Sequence, residues 1–546
     1  MPFRKHPLNI GQLFDWHTTL RRQTVMYLDR PFDLAPEAGV RHGAEELARL
    51  VRDFSARLYA AGARPGDRVA VVKDNHYDVF LCSAAAARIG AVPAQLAGQN
   101  SPEAHRVMLE RLDPKVLVTT PDVLAQAAAA GVKLVEPRVR VLLLGERDAV
   151  EEVPENTVTL AELAGAERAP ESYRSPEQPQ LIMHSSGTTG VPKLVVHSGE
   201  TLLGGVAAME QIPFPVVASK HNDVVGISVS FAHGRIASWT MGQFALAPRR
   251  LVMISRHELD VAARMIGEHR PTTLEACPNI FQYWEELADE KPDLFRQVRL
   301  YAGTFDAIHE RTVRTFLRAS GRRFPVWGQS WGQSEVGPMC IAVFTRGRLS
   351  KGGKKGGGPE KAVTNSIGWT VPGLAKVKVV DPETGRTMPR GKPGIMMVAS
   401  KGRCLDYLGE SDRHAEKVRG RWWNTGDIGE LGRFGELRLV DREVDIIPGM
   451  SGVELETLLL DRLPRASDVT VLGVPDGPPV PVLSMRDDTL DPQEWREATV
   501  GLPELAEPHL VPWHEVPRTA TWKVRRLELR ERVLGARHGV GTGRWT

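Results

Sequence analysis

The sequence predicts an α/β fold built on a parallel sheet and spread over more than one packed unit. Three observations carry this expectation. Helical and extended patterns alternate near the N-terminus, short β-like runs joined by Gly/Pro turns follow residue 370, and 546 residues exceed what one domain usually holds. From Ala44, AEELARLVRDFSARLYAAG puts Leu47, Leu50, Val51, Phe54 and Leu58 on one helical face, and Gly62 reads as a helix stop. RVAVV at 68–72 reads as a buried strand, YDVFLCSAAAARIG as a second helix ending at Gly90, and AVPAQL as renewed extended structure. Farther on, VKVVDPETGRTMPRGKPGIMMVAS reads as short strands turning at DPETG and PRGKPG, and KGGKKGGGPEK at 351–361 as a mobile basic connection. No internal repeat of fixed period interrupts this order.

Composition narrows the function classes. Hydrophobic residues make up 42% and charged residues 25%, with a formal net charge of +3, the balance of a globular protein. Lys and Arg alternate with Asp and Glu along the chain, so no basic stripe for nucleic acid is expected. Cys82, Cys277, Cys340 and Cys404 are far apart with no CxxC pair, which argues against a zinc site or a disulfide framework and fits a reducing cytoplasm. The N-terminal MPFRKHPLNIGQLFDW lacks the apolar segment of a signal peptide, and no uncharged apolar run reaches the roughly 18 residues of a membrane helix.

The chemistry concentrates in HSSGTTGVPK at 184–193. A P-loop would place Gly-Lys-Ser after the second glycine and then open a helix. Here Val-Pro-Lys follows Gly190, and the β-branched LVVHS comes next. The stretch instead reads as a Gly/Ser/Thr loop between two strands, able to wrap backbone amides and hydroxyls around a polyphosphate.

These residues resemble the [ST]SG[ST]TGxPK phosphate motif of adenylate-forming enzymes, the superfamily of acyl-CoA synthetases, peptide-synthetase adenylation domains and firefly luciferase, and 185–193 match it throughout. Further motifs follow in order. WGQSE at 331–335 resembles YGxTE, YAGTF at 301–305 keeps Gly303 of a Gly-Gly turn beside adenine, and NTGDIGEL resembles TGDLG. DREVDIIPG at 441–449 resembles the hinge segment, and PRTATWKVRRLEL at 517–529 resembles PRTxxGKIxRxxL.

The resemblance implies a large N-terminal domain over 1–441, of α/β sheets plus a β-barrel-like part, and a small mobile α+β C-terminal domain over 442–546. It implies ATP, Mg²⁺ and coenzyme A. Ser185, Ser186, Gly187, Thr188, Thr189, Gly190 and Lys193 would hold the phosphates, with Thr188 also contributing to catalysis. Gly303 and Trp331 would lie beside adenine, Ser334 on the α-phosphate, and Asp427 and Arg442 on the ribose. Glu335 would be the magnesium ligand, a hard carboxylate for a hard cation, and Lys523 would bridge the attacking carboxylate and the α-phosphate. The products would be acyl-AMP and pyrophosphate. A swing of the small domain would then admit a thiol.

Where peptide-synthetase domains resemble FDxS, this chain has SFAHG, so His233 replaces the aspartate that pairs with an amino-acid ammonium. A non-amino carboxylic acid is therefore expected, with Phe231, His233 and Trp239 lining its pocket and His233 also placed among the catalytic residues. Trp522 stands where the family has glycine, Val444 where it has Asp or Lys, and the stretch 449–456 is shortened. One weakened half-reaction is the expectation drawn from these departures. The reading is a cytoplasmic acyl-CoA ligase. Its rivals are an acyl-AMP ligase loading a carrier protein and a non-catalytic acyl or nucleotide sensor. Oligomeric state is not legible.

Overall fold

The computed structural model describes residues 6–151, 153–185, 191–212, 217–352, 363–442, 452–474 and 477–535. It is a mixed α/β protein with large multi-stranded sheets. The chain divides into two compact units, one comprising Met1–Thr273, Ser334–Gly337 and Ser400–Glu416, the other Leu274–Gln333, Pro338–Ala399 and Lys417–Thr546.

The first unit contains the predicted alternation. The helix Ala44–Ala60 buries Leu47, Leu50, Val51, Phe54 and Leu58, the spacing that its 3.6-residue period places on one face. The strand Arg68–Lys73, the helix Asp78–Arg88 and the strand Val92–Ala97 follow. These strands belong to an eight-stranded sheet whose pairs are parallel from Pro179–His184 through Thr157–Thr159. Leu194–Ser198 then adds antiparallel to Pro179–His184, and Asp406–Tyr407 adds antiparallel to Leu194–Ser198. A core of Val72, Ala94, Leu96, Leu117, Val141 and Ile182 fills the sheet's interior, because strands covered on both sides read as continuous apolar runs.

One charged cluster is buried in this unit. Lys73 and Asp78 are fully buried and 2.6 Å apart, and Asp33 also pairs with the Lys73 ammonium. Burial alone would lower the lysine pKa, but the carboxylates of Asp78, Asp33 and Asp74 outweigh it and keep the ammonium charged. Asp78 also accepts from the Asp33 amide at 2.8 Å.

In the second unit the strands Leu300–Gly303 and Val326–Gln333 run parallel. The strands Ser366–Thr370, Leu437–Arg442, Trp422–Leu431 and Gly394–Ser400 pair antiparallel in that order, and the turns predicted at 381–394 join Ala375–Val380 to Gly394–Ser400. Toward the C-terminus, Gly452–Arg462 packs Leu455, Leu459 and Leu460 with Val469, Val471 and Leu483 of the pair Ala466–Leu472 and Val480–Met485. The first two residues of the expected basic connection, 351–352, end the helix Arg346–Gly352; residues 353–361 lie outside the described residues, as do Val444 and 449–451.

Candidate active site

In the first unit the phosphate-motif loop leaves and re-enters the sheet at a closed neck. Ser185 N donates to Lys193 O at 2.9 Å and Lys193 N donates to Ser185 Oγ at 3.0 Å, extending the ladder in which His184 faces Leu194. His184 braces the neck from below, its Nε2 accepting from Ala97 N at 3.1 Å and its Nδ1 donating to Ser185 O at 2.7 Å. Ser186, Gly187, Thr188, Thr189 and Gly190 lie outside the described residues.

The turn bearing Ser334 and Glu335 connects the strands Val326–Gln333 and Gly337–Thr345. Four partners hold it, three of them buried. His197 Nε2 donates to Ser334 O at 2.8 Å, while burial holds this imidazole below its ordinary range, so its Nδ1, 3.1 Å from the Thr201 hydroxyl, is an acceptor. Cys404 N donates to Glu335 O at 2.6 Å. Tyr407 OH donates to Glu335 Oε1 at 2.5 Å, and burial together with that carboxylate pushes the phenol well above its usual range, so it remains the donor. The Lys193 ammonium lies 5.0 Å from the Tyr407 ring centroid, within cation–π range. Tyr407 stands opposite Val195 in the strand pair, which brings it beside the lysine two residues away.

The fourth partner is His233, the N-cap of the helix Gly234–Leu246. Its Nδ1 accepts from Arg235 N at 3.0 Å, so the neutral ring carries its proton on Nε2, which donates to Ser334 Oγ at 3.0 Å. A Cβ on Gly234 would meet the thioether end of Met183, which would have to move aside. Phe231 and Trp239 are buried, at 0% and 1% exposure. The Phe231 amide donates to Asn75 Oδ1 at 2.7 Å and its ring meets Tyr77 edge-on at 5.9 Å.

In the second unit Gly303 pairs with Gln329, and a Cβ on Gly303 would overlap the Gln329 amide. Trp331 is half-buried on the same strand, two residues before Gln333. Gln333 Nε2 donates to Thr425 O at 2.8 Å and to Asp427 Oδ2 at 3.2 Å, and Asp427 is 5% exposed. Arg442 stands opposite Asp427 in the antiparallel register.

Lys523 follows a tight turn. Trp522 N donates to Thr519 O and Thr519 N to Lys523 O, both at 2.8 Å, and Lys523 N reaches Thr519 Oγ1 at 3.2 Å. Trp522 occupies the left-handed region at φ 65°, which for a residue with a side chain costs about 1–2 kcal/mol. The sequence pattern's glycine is thereby explained: this turn needs a positive φ. Two attachments offset the strain here. The Trp522 ring stacks on Trp513, centroids 5.7 Å apart and 16° between planes, and Asn279 Nδ2 donates to Trp522 O at 2.7 Å. An aromatic pair contributes about 0.5–1.5 kcal/mol and a hydrogen bond about 1 kcal/mol, enough to hold the outlier.

Sequence reasoning missed His197, Gln333 and Tyr407. Gln333 is the variable position of the WGQSE stretch, while no local motif marks His197 or Tyr407, which lie on paired strands far apart in the chain and meet the Ser334–Glu335 turn through their side chains. The chemistry of the Glu335 carboxylate fits Mg²⁺, which takes one or two protein carboxylates and completes its shell with phosphate and water oxygens. Ligand atoms of Asp33, His76 and Asp78 also lie within 4.8 Å of one another, but the Lys73 ammonium already pairs with both carboxylates and Arg30 with that of Asp33. Among the described residues no helix is long and apolar enough to cross a membrane.

Comparison with known proteins bears on this geometry. A diazotase from Streptomyces cremeus acting on 3-amino-2-hydroxy-4-methoxybenzoate is 34% identical over 97% of both chains. A 4-coumarate–CoA ligase of Oryza sativa subsp. japonica is 26% identical over 92% of this chain and 90% of its own. Among solved structures, an anthranilate CoA ligase bound to anthranoyl-AMP matches with a TM-score of 0.77 at 17% identity, covering 97% of this chain and 98% of its own. A benzoate CoA ligase from Burkholderia xenovorans LB400 matches with a TM-score of 0.74 at 18% identity, covering 96% of this chain and all of its own. The pattern that describes AMP-binding enzymes matches residues 20–408, and with it the chain belongs to the AMP-binding enzyme family of the adenylate-forming superfamily.

Proposed function

We propose that this protein uses ATP and Mg²⁺ to adenylate nitrite and passes the nitroso group to the amine of an aromatic acid, forming a diazo product. The observation that carries this reading is end-to-end likeness to a diazotase, at 34% identity over 97% of each chain. Diazotisation requires nitrogen at the oxidation level of nitrite, and nitrite presents two oxygens on a trigonal centre as a carboxylate does. A nitrite oxygen attacks the α-phosphorus and the α–β bridge breaks, releasing pyrophosphate. The amine then attacks the nitroso nitrogen, AMP leaves, and proton transfer followed by loss of water yields the diazonium.

The residues take roles in that scheme according to their chemistry. Thr188, Thr189 and Lys193 hold the β- and γ-phosphates, with Ser185, Ser186, Gly187 and Gly190 shaping the loop. Glu335 binds Mg²⁺, which neutralises charge on the phosphates. Gly303 and Trp331 flank adenine, Ser334 meets the α-phosphate, and Asp427 and Arg442 take the ribose. Lys523 neutralises the two anions as they meet. Phe231, His233 and Trp239 border the aromatic substrate. Residues 1–441 act as the body of the enzyme and 442–546 as the small domain that delivers the lysine.

A second reading is supported by the 26% identity to a 4-coumarate–CoA ligase and by His233 at the position of an amino-acid-pairing aspartate. In it, a non-amino carboxylic acid is activated as acyl-AMP and transferred to the thiol of coenzyme A or of a carrier protein. One experiment separates the two. The protein is given ATP, Mg²⁺ and ¹⁵N-nitrite with a panel of aminohydroxybenzoates, and in parallel the same acids with coenzyme A. Pyrophosphate release that needs nitrite, with ¹⁵N in the product, is the expected result. Release that ignores nitrite and yields a thioester overturns it in favour of the ligase.

A further inference from the structure

We propose that Trp522 is a positioning residue, the end ring of an aromatic latch that docks the Lys523 turn onto the helix Pro278–Tyr283. Both segments lie in the second unit. Trp513 is the middle ring, with Tyr283 stacked at 4.2 Å and 17° and Trp522 at 5.7 Å and 16°. The Arg518 guanidinium adds a fourth plane, 4.6 Å from the Trp513 centroid. The same helix supplies one polar contact to the turn directly and one through Asp468. Asn279 Nδ2 donates to Trp522 O at 2.7 Å, and Gln282 Nε2 donates to Asp468 Oδ1 at 3.4 Å, Asp468 being the ion-pair partner of Arg518.

The turn is strained at the residue that carries the latch. Its backbone accepts glycine most readily, and the chain places there the residue with the largest side chain, at φ 65°. A strained position persists only when its surroundings over-determine it, and here rings, carbonyl and guanidinium all do so. Arg518 faces Val524 across the turn in an antiparallel bridge, so the residue carried between latch and bridge is Lys523. Its backbone is thereby fixed at both flanks.

The consequence rests on the proposed role of Lys523 in adenylation: a latched turn presents the lysine in one arrangement, which suits an acceptor small enough to arrive without the lysine withdrawing. An aromatic amine meets that requirement and a pantetheine arm does not. The latch thus deepens the choice of acceptor for the proposed function.

The test uses the full chain with Trp522→Gly, Trp513→Leu and Trp522→Tyr. Trypsin cleavage after Lys523, located by mass spectrometry, should rise at least tenfold in the first two and stay near the parent rate in Trp522→Tyr, which keeps a stacking ring. The thermal midpoint of Trp522→Gly should hold or rise, because glycine relieves the backbone. Turnover in pyrophosphate release should fall about tenfold in Trp522→Gly with the KM for ATP unchanged. Unchanged cleavage overturns the latch. Faster cleavage with unchanged turnover, while Lys523→Ala is inactive, overturns its positioning role. An active Lys523→Ala removes instead the reading of Lys523 and leaves the latch as measured by proteolysis.

Discussion

The two units hold their motif residues by different means. In the first, Ser334 and Glu335 are fixed by the buried His197, Cys404 and Tyr407 and the partly buried His233, all of ordinary backbone conformation and each giving the turn one hydrogen bond. In the second, the Lys523 turn depends on a left-handed tryptophan and a stack of rings that are only partly buried. A site wall made of buried hydrogen bonds tolerates little change, since each lost partner strands a polar group. A turn held by partly buried stacking can be rebuilt by one substitution. The difference teaches that the hydrogen-bonded turn of the first unit is the more costly of the two to alter.

The comparison can be broken most directly at the buried charges. Asp78→Ala strips the fully buried Lys73 of a carboxylate 2.6 Å away and leaves the Asp33 amide without its acceptor. A loss of about 3–5 kcal/mol in denaturant-midpoint stability of the first unit is expected; no shift would show that burial is not what holds that unit. Lys523→Ala should leave both units folded and slow pyrophosphate release by about 10²–10³-fold, the scale of one lost charge-stabilising donor, read in single-turnover assays.

Acid should separate the units next. Burial holds His17 down at about 4 in the first unit, and His42, His105, His197, His269 and His414 are lowered there as well. The second unit has His309, also held at about 4 by burial. A histidine whose folded pKa is depressed contributes stability that is present above its unfolded value near 6.5 and is lost as pH falls toward 4. His17 alone accounts for up to about 3 kcal/mol. Hydrogen exchange, corrected for intrinsic rates, should show the first unit loosening before the second between pH 6.5 and 4.5; the reverse order would contradict the burial argument. The smallest effect is expected of Tyr407→Phe. Loss of the 2.5 Å bond to Glu335 should weaken Mg²⁺-dependent ATP binding by about tenfold, the equivalent of about 1.4 kcal/mol, while Trp522→Gly leaves that binding unchanged.

Much of the fold was legible because its signals are local. The Ala44–Ala60 helix announces itself by apolar spacing, the strands on either side of residues 185–193 by β-branched runs, and the 381–394 turns by glycine and proline. The ordered motifs led to the family, which the full-length relatives bear out. What stayed hidden arises from pairing at long range. Tyr407 reaches Glu335 only because a two-residue strand docks on Leu194–Ser198 more than two hundred residues earlier in the chain, and no pattern around Tyr407 records that partner. Trp522 was visible as a departure, but its meaning needed the φ angle and the rings of Trp513 and Tyr283.

The cap formed by His233 has a consequence for proton traffic. With Nδ1 engaged by the first turn of its helix and Nε2–H directed at Ser334, the neutral ring has no lone pair left to accept a proton. It can steady an oxygen but not act as a base. In the proposed diazotisation the protons shed by the amine would therefore leave by water or on the departing phosphate, with His233 serving as a donor rather than as their collector.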